Sequence, residues 1–306
     1  MHRFLDPALA ARLKPLELRA RHIVEGFLTG LHRSPYHGFS VEFAEHRPYN
    51  PGDELRRLDW KVLAKTDRPF VKQFEEETNL RCTLVVDSSL SMRYSGSASL
   101  TKLEYAATLG AALAFLLLRQ RDAVGLMAFD ERVHTVVPPR SASSHLRPLL
   151  AALERLADVE PAPTPTAAAR ALAEVAERLH RRSFVVVLSD LFENRTDADD
   201  LLRALRQLRH RGHQVLVFHL LDAATERRLD VPTDGRPVTL IDRETNEKVT
   251  LHVAQAQAAY ETAVRDYTAR LRRGCLEHGI DFHELDTAAP LDDALLRFLA
   301  ARHRAG

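Results

Sequence analysis

From residue 80 onward the chain alternates short apolar runs with long helical patterns, and that rhythm admits few folds. Runs rich in Val, Ile, Leu and Phe, each followed by a helix-length segment, read as strands joined by crossover helices in a parallel sheet. The predicted strands are 81–87 (RCTLVVD), 123–129 (AVGLMAF), 132–137 (RVHTVV), 183–189 (SFVVVLS), 214–220 (QVLVFHL) and 280–285 (IDFHEL). Helical patterns fill 100–120, 143–157, 166–182, 197–211, 254–278 and 290–303. Only Asp130-Glu131 separates the second strand from the third, so these two form a hairpin and put one antiparallel strand into the sheet. A second hairpin is expected at 238–252, where VTLI and KVTL flank the polar turn Asp242 to Glu247.

Residues 1–79 follow a different rhythm. Leu9, Leu13, Leu16, Ile23 and Phe27 recur at helical spacing, which predicts one or two amphipathic helices. Residues 34–79 are punctuated by Pro35, Gly38, Pro48, Pro51 and Gly52 around short alternating runs such as 39–43 and 70–74, the pattern of a small β-rich element. The expected division is therefore an N-terminal helical and β-rich extension, 1–79, and an α/β domain, 80–306, carrying a hairpin insertion near 230–252.

Composition narrows the class of protein. Of 306 residues, 45% are hydrophobic and 28% charged, enough apolar side chains for a sizeable core. Lys plus Arg (43) nearly cancels Asp plus Glu (42), so no global field draws the chain toward nucleic acid or an anionic membrane. The basic stretch Arg203 to Arg211 reads as a solvated helix face, and His210 and His213 at its end read as solvent-facing. Cys82 and Cys275 stand far apart in apolar or helical surroundings, which fits buried thiols in a reducing compartment. The most apolar stretch, Leu109 to Leu118, is too short to span a bilayer, and the charged N-terminus lacks the core of a secretory signal. A cytoplasmic protein is expected.

The chemistry concentrates where strands end. Residues 84–92, LVVDSSLSM, carry an apolar strand into Asp87 and three serines, Ser88, Ser89 and Ser91. A second strand runs into Ser189-Asp190, and Thr164-Pro165-Thr166 precedes an alanine-rich helix. In an open parallel sheet these carboxyl ends converge on one edge, where ligands bind. Three readings of DSSLS compete: an Asx- or ST-turn capping the next helix, a nucleophilic aspartate, and oxygen ligands for a hard cation. The i, i+2, i+4 spacing turns Asp87, Ser89 and Ser91 to one side, and an all-oxygen, short-armed set suits Mg²⁺ or Mn²⁺. A dehalogenase-type phosphatase needs an acid at position 89, which is serine, and a lysine that 183–194 lacks; no G-x-S-x-G elbow surrounds any serine. The histidines form no H-E-x-x-H set, so no zinc site is expected.

On the residues D-x-S-x-S with a distant Thr and Asp, the domain resembles a von Willebrand factor A domain bearing a metal-ion-dependent adhesion site. The resemblance implies an α/β von Willebrand A-like fold, a mostly parallel sheet with one antiparallel edge strand, and a Mg²⁺ (or Mn²⁺) site at Asp87, Ser89, Ser91, Thr166 and Asp190. Counting back from Ala171-Leu172 favours Thr166 over Thr164. Upstream, Arg47-Pro48-Tyr49-Asn50-Pro51-Gly52-Asp53 through Arg56, Asp59 and Trp60 resembles the R-x-Y-x-x-G-D-x-x-R-x-I-D-W signature of the DUF58 family, whose members are linked to MoxR-type AAA+ ATPases.

The function this implies is a metal-dependent protein-interaction module, not an enzyme, working with a MoxR-like AAA+ ATPase in protein remodelling or complex maturation. A partner's Asp or Glu would complete the ion's shell, and Arg47, Tyr49, Asp53, Arg56, Asp59 and Trp60 would serve structure or docking. The alternatives are a phosphohydrolase with Asp87 as nucleophile and a scaffold whose metal site is vestigial.

Overall fold

The computed structural model describes residues 16–31, 46–48, 70–72, 80–158, 167–179, 182–192, 198–242 and 247–303. The first element is a helix, α1 (Leu16–Leu31). A small antiparallel pair follows, β1 (His46–Pro48) with β2 (Phe70–Lys72), in which Arg47 lies opposite Val71. Then come β3 (Arg81–Asp87), α2 (Lys102–Arg119), β4 (Ala123–Phe129), β5 (Val133–Arg140), α3 (Leu146–Asp158), α4 (Ala168–Arg178), β6 (Phe184–Ser189) and α5 (Ala198–His210). The chain continues through β7 (Gln214–Leu221), β8 (Val238–Ile241), β9 (Lys248–Leu251), α6 (Val253–Glu277), β10 (Asp281–Asp286) and α7 (Leu291–His303). The main sheet has six strands in the order β10-β7-β6-β3-β4-β5, and only β4 with β5 pairs antiparallel. This is the von Willebrand A-like arrangement expected from the sequence.

Strand β3 sits mid-sheet, and its side chains alternate between two helical layers. Cys82, Leu84 and Val86 join α1, α2, α3 and α7 in one buried cluster, while Val85 joins α4, α5 and α6 in the other. A strand covered on both faces needs apolar residues at every position, which is why LVV, VVVL and LVF read as continuous runs rather than alternation. Helix α2 is the central crossover. Thr101 caps it, and a capping box with Glu104 satisfies the first free amides. Its LGAALAFLLL stretch lies inside the core, and no helix among the described residues is long and apolar enough to cross a membrane.

The described helix of the N-terminal extension belongs to the same core. Leu16, Ala20, Ile23, Val24 and Phe27, at helical spacing, are buried against α2, α3 and α7. Leu9, Leu13 and the run 39–43 lie outside the described residues. Both expected hairpins form. β8 and β9 pair antiparallel with Thr239 Oγ1 and Thr250 Oγ1 2.9 Å apart, as an insertion between β7 and α6. At the β4–β5 edge the register slips beside Gly125, where an added Cβ would come within 2.8 Å of the Val137 carbonyl oxygen.

One expectation is corrected. His210 is exposed, but His213 is only 1% accessible, and its Nδ1 accepts the Ser183 amide proton at 3.2 Å. The start of β6 leaves that N–H needing an acceptor, and the histidine folds inward to supply it.

Candidate metal centre

Register places the two predicted strand ends side by side. β3 and β6 pair through Val86 and Leu188, so Asp87 emerges next to Ser189-Asp190. Asp87 is 1% exposed. Its Oδ1 accepts the Ser89 amide at 3.0 Å, and its Oδ2 accepts the Ser189 hydroxyl at 2.6 Å. Burial, reinforced by the nearby Asp190 charge, pushes the Asp87 carboxyl up to about 7, against the pull of these hydrogen bonds.

The serines divide as the spacing predicted. Ser89 Oγ and Ser91 Oγ meet at 3.0 Å, whereas Ser88 turns toward the β4–β5 hairpin, donating to the Phe129 carbonyl at 2.9 Å and pairing with His134 Nε2 at 2.8 Å. Mg²⁺ holds oxygens at about 2.1 Å in an octahedron, so adjacent ligands stand about 3 Å apart. The Ser89 and Ser91 hydroxyls already have that separation. Together with an under-compensated buried carboxylate beside them, they fit a hard divalent cation. Thr164 and Thr166 lie outside the described residues, as do Tyr49, Asp53, Arg56, Asp59 and Trp60, and Arg47 is described only as backbone of β1. Among the described residues no group of three His, Cys, Asp or Glu side chains could hold a metal.

Asp190 is pinned on both oxygens. Its Oδ1 accepts the Phe192 amide at 3.1 Å and its Oδ2 the Lys102 ammonium at 2.7 Å. Between them Leu191 takes a left-handed φ of 50°, an unfavourable backbone for leucine, and its amide is held by Ser189 Oγ at 2.9 Å. The Asp190 carbonyl pairs with His219 Nε2 at 2.8 Å.

Lys102, Glu226 and Asp222 escaped the sequence reading. Lys102 Nζ is 2.5 Å from Glu226 Oε1 as well as 2.7 Å from Asp190. Burial alone would lower the lysine pKa, but these two carboxylates outweigh it and hold the ammonium above its ordinary range. Glu226 Oε2 accepts the Asp222 amide at 2.8 Å, and Asp222 in turn holds the amide and hydroxyl of Ser97, both at 2.7 Å. The sequence shows only a lysine at the first position of a helix, where it opposes the helix dipole; its burial, which demands acidic partners, appears only in the fold.

A mostly parallel sheet with one antiparallel edge strand, flanked by helices and carrying hydroxyl and carboxylate side chains at its carboxyl edge, has the von Willebrand A-like fold. The chain belongs to the family described as "Protein of unknown function DUF58", whose model matches residues 45–270. It is 32% identical over 309 residues to the uncharacterized proteins Rv1480 of Mycobacterium tuberculosis (strain H37Rv) and Mb1516 of Mycobacterium bovis, covering 98% of this chain and 91% of each relative. Among solved structures it is similar to the conserved hypothetical protein BatB from Bacteroides thetaiotaomicron (14% identity, TM-score 0.46, 74% of this chain and 98% of that one). It is also similar to the SpRpn10 VWA domain (8% identity, TM-score 0.40, 71% of this chain and 93% of that one).

Proposed function

We propose that this protein is a metal-dependent protein-interaction module, not an enzyme, and that Ser89 and Ser91 hold Mg²⁺ or Mn²⁺ with Thr166, while Asp87 and Asp190 support the shell. The carrying observation is the 3.0 Å separation of the Ser89 and Ser91 hydroxyls beside buried Asp87. When bound, the ion supplies a Lewis-acidic position open to an outside ligand. Neutral hydroxyls leave most of its charge uncompensated, so the natural completing group is a partner's Asp or Glu. Asp87 orients the loop through the Ser89 amide. Ser189 holds Asp87 from the neighbouring strand. The partner we favour is a MoxR-like AAA+ ATPase in protein remodelling or complex maturation, and we place the pair in the cytoplasm, in keeping with a chain of only two cysteines, both buried.

The phosphohydrolase alternative gains a lysine near the second strand end, because α2 delivers the one that 183–194 lacks. Both of its carboxylate partners are already engaged, however, and position 89 still offers a hydroxyl in place of an acid. The test is capture of the cognate MoxR-like ATPase in Mg²⁺ and in EDTA. Wild type should capture it only with Mg²⁺, and Asp87→Ala should lose capture while keeping its circular dichroism; equal capture in EDTA would sink the reading.

A further inference from the structure

Lys102 is the first residue of α2, 1% exposed, with its ammonium between Asp190 and Glu226 and the rings of Tyr94 and Phe192 each 5.9 Å away. A buried lysine at a helix N-terminus pays twice, in lost hydration and in repulsion from the helix dipole, and a packing role would be filled more cheaply by an aliphatic residue. Its location is the informative part. Asp190 stands at the strand end beside Asp87 and binds the ammonium directly, so Asp190 and Glu226 share one covalently attached cation at the edge of the cluster.

We propose that Lys102 is the resident counter-charge of the cation site: it occupies Asp190 and sets how tightly the site holds a divalent ion. This rests on the metal-dependent reading above and adds the residue that tunes it. The ammonium consumes part of the negative potential that would otherwise fall on the ion, so the ion is held loosely enough to need an outside carboxylate. Glu226 acts in the opposite sense, drawing the ammonium's charge away from Asp190. Its other oxygen accepts the Asp222 amide and its backbone carbonyl accepts the Tyr260 hydroxyl at 2.7 Å, so a glutamine with its oxygen turned to the Asp222 amide keeps those two contacts and gives up the one to Lys102.

The two side chains therefore predict opposite shifts, which a purely structural salt bridge does not. The full chain is stripped with EDTA, dialysed and titrated calorimetrically with Mn²⁺ alone, and each protein is melted with and without Mn²⁺. Lys102→Gln should bind Mn²⁺ at least about tenfold tighter than wild type, since removing one nearby buried charge changes an ion's binding by that order. It should also melt lower in EDTA, with Mn²⁺ restoring much of the loss. Glu226→Gln, which retains the lysine, should bind at least about threefold weaker on the same grounds. Unchanged or weaker binding by a folded Lys102→Gln overturns the proposal. If that variant does not fold, unchanged or tighter binding by Glu226→Gln overturns it instead. Absence of any Mn²⁺ binding by wild type overturns the metal-dependent reading and this proposal with it, whereas tight wild-type binding with variants that do not shift removes the role of Lys102 alone.

Discussion

Asp87 is a buried carboxylate held by donors from its own loop and from the neighbouring strand. Its carboxyl is raised to about 7 from an ordinary carboxylate value near 4, chiefly by burial and then by Asp190. A raised folded-state pKa means the native protein holds the proton more tightly than the unfolded chain. The stabilisation is complete below about pH 4 and is lost as pH rises through about 7. In EDTA the melting temperature should therefore fall between pH 5 and pH 8 by more in wild type than in Asp87→Asn, read by thermal denaturation at each pH. Ser189→Ala removes the 2.6 Å hydroxyl donor to Asp87 and should cost about 1–3 kcal/mol in urea unfolding. Cys275 gives a simpler outcome, because burial pushes its thiol up to about 12. It should stay silent toward a thiol-specific chromogenic reagent at pH 8 until urea is added. The placement of Asp87, Ser89, Ser91 and Asp190 was legible from spacing, since strand ends in a parallel sheet share an edge. Lys102 and Glu226 were not, because their partners come from loops distant in sequence and only the closed fold brings them together.

Elements were read well where their pattern was local. The six main strands and the helices between them match their predicted positions to within a few residues, because a strand buried on both faces and a helix of 3.6-residue period leave different marks in one dimension. The β4–β5 hairpin followed from a two-residue gap too short for any crossover. Its register shift did not, since it depends on how closely the Val137 carbonyl approaches Gly125. Gly125→Ala should therefore destabilise the protein by about 1–3 kcal/mol, measured by denaturant unfolding, because the new Cβ meets backbone that cannot move aside. His213 shows the same limit: a residue just past a helix-ending glycine looks like a surface turn until the neighbouring strand's free amide is known.

At the scale of the whole molecule, α1 is integral to the α/β core. Leu16, Ile23, Val24 and Phe27 are buried against α2, α3 and α7. Burial of four such side chains is worth on the order of 10 kcal/mol, comparable to the whole net stability of a domain. A chain starting at residue 32 should accordingly fail to give a cooperative melt. The sequence boundary at 79 marks a change of rhythm, and the packing of α1 crosses it. Above this frame, the ends of β3 and β6 bring Asp87 and Asp190 to one sheet edge, and the first turn of α2 sets Lys102 against Asp190. The most direct check is calorimetric titration of the full chain with Mg²⁺, beside the double variant Ser89→Ala, Ser91→Ala. A single site in wild type that disappears in the double variant, with circular dichroism unchanged, is the predicted result; no binding by wild type, or equal binding by both, would contradict the account.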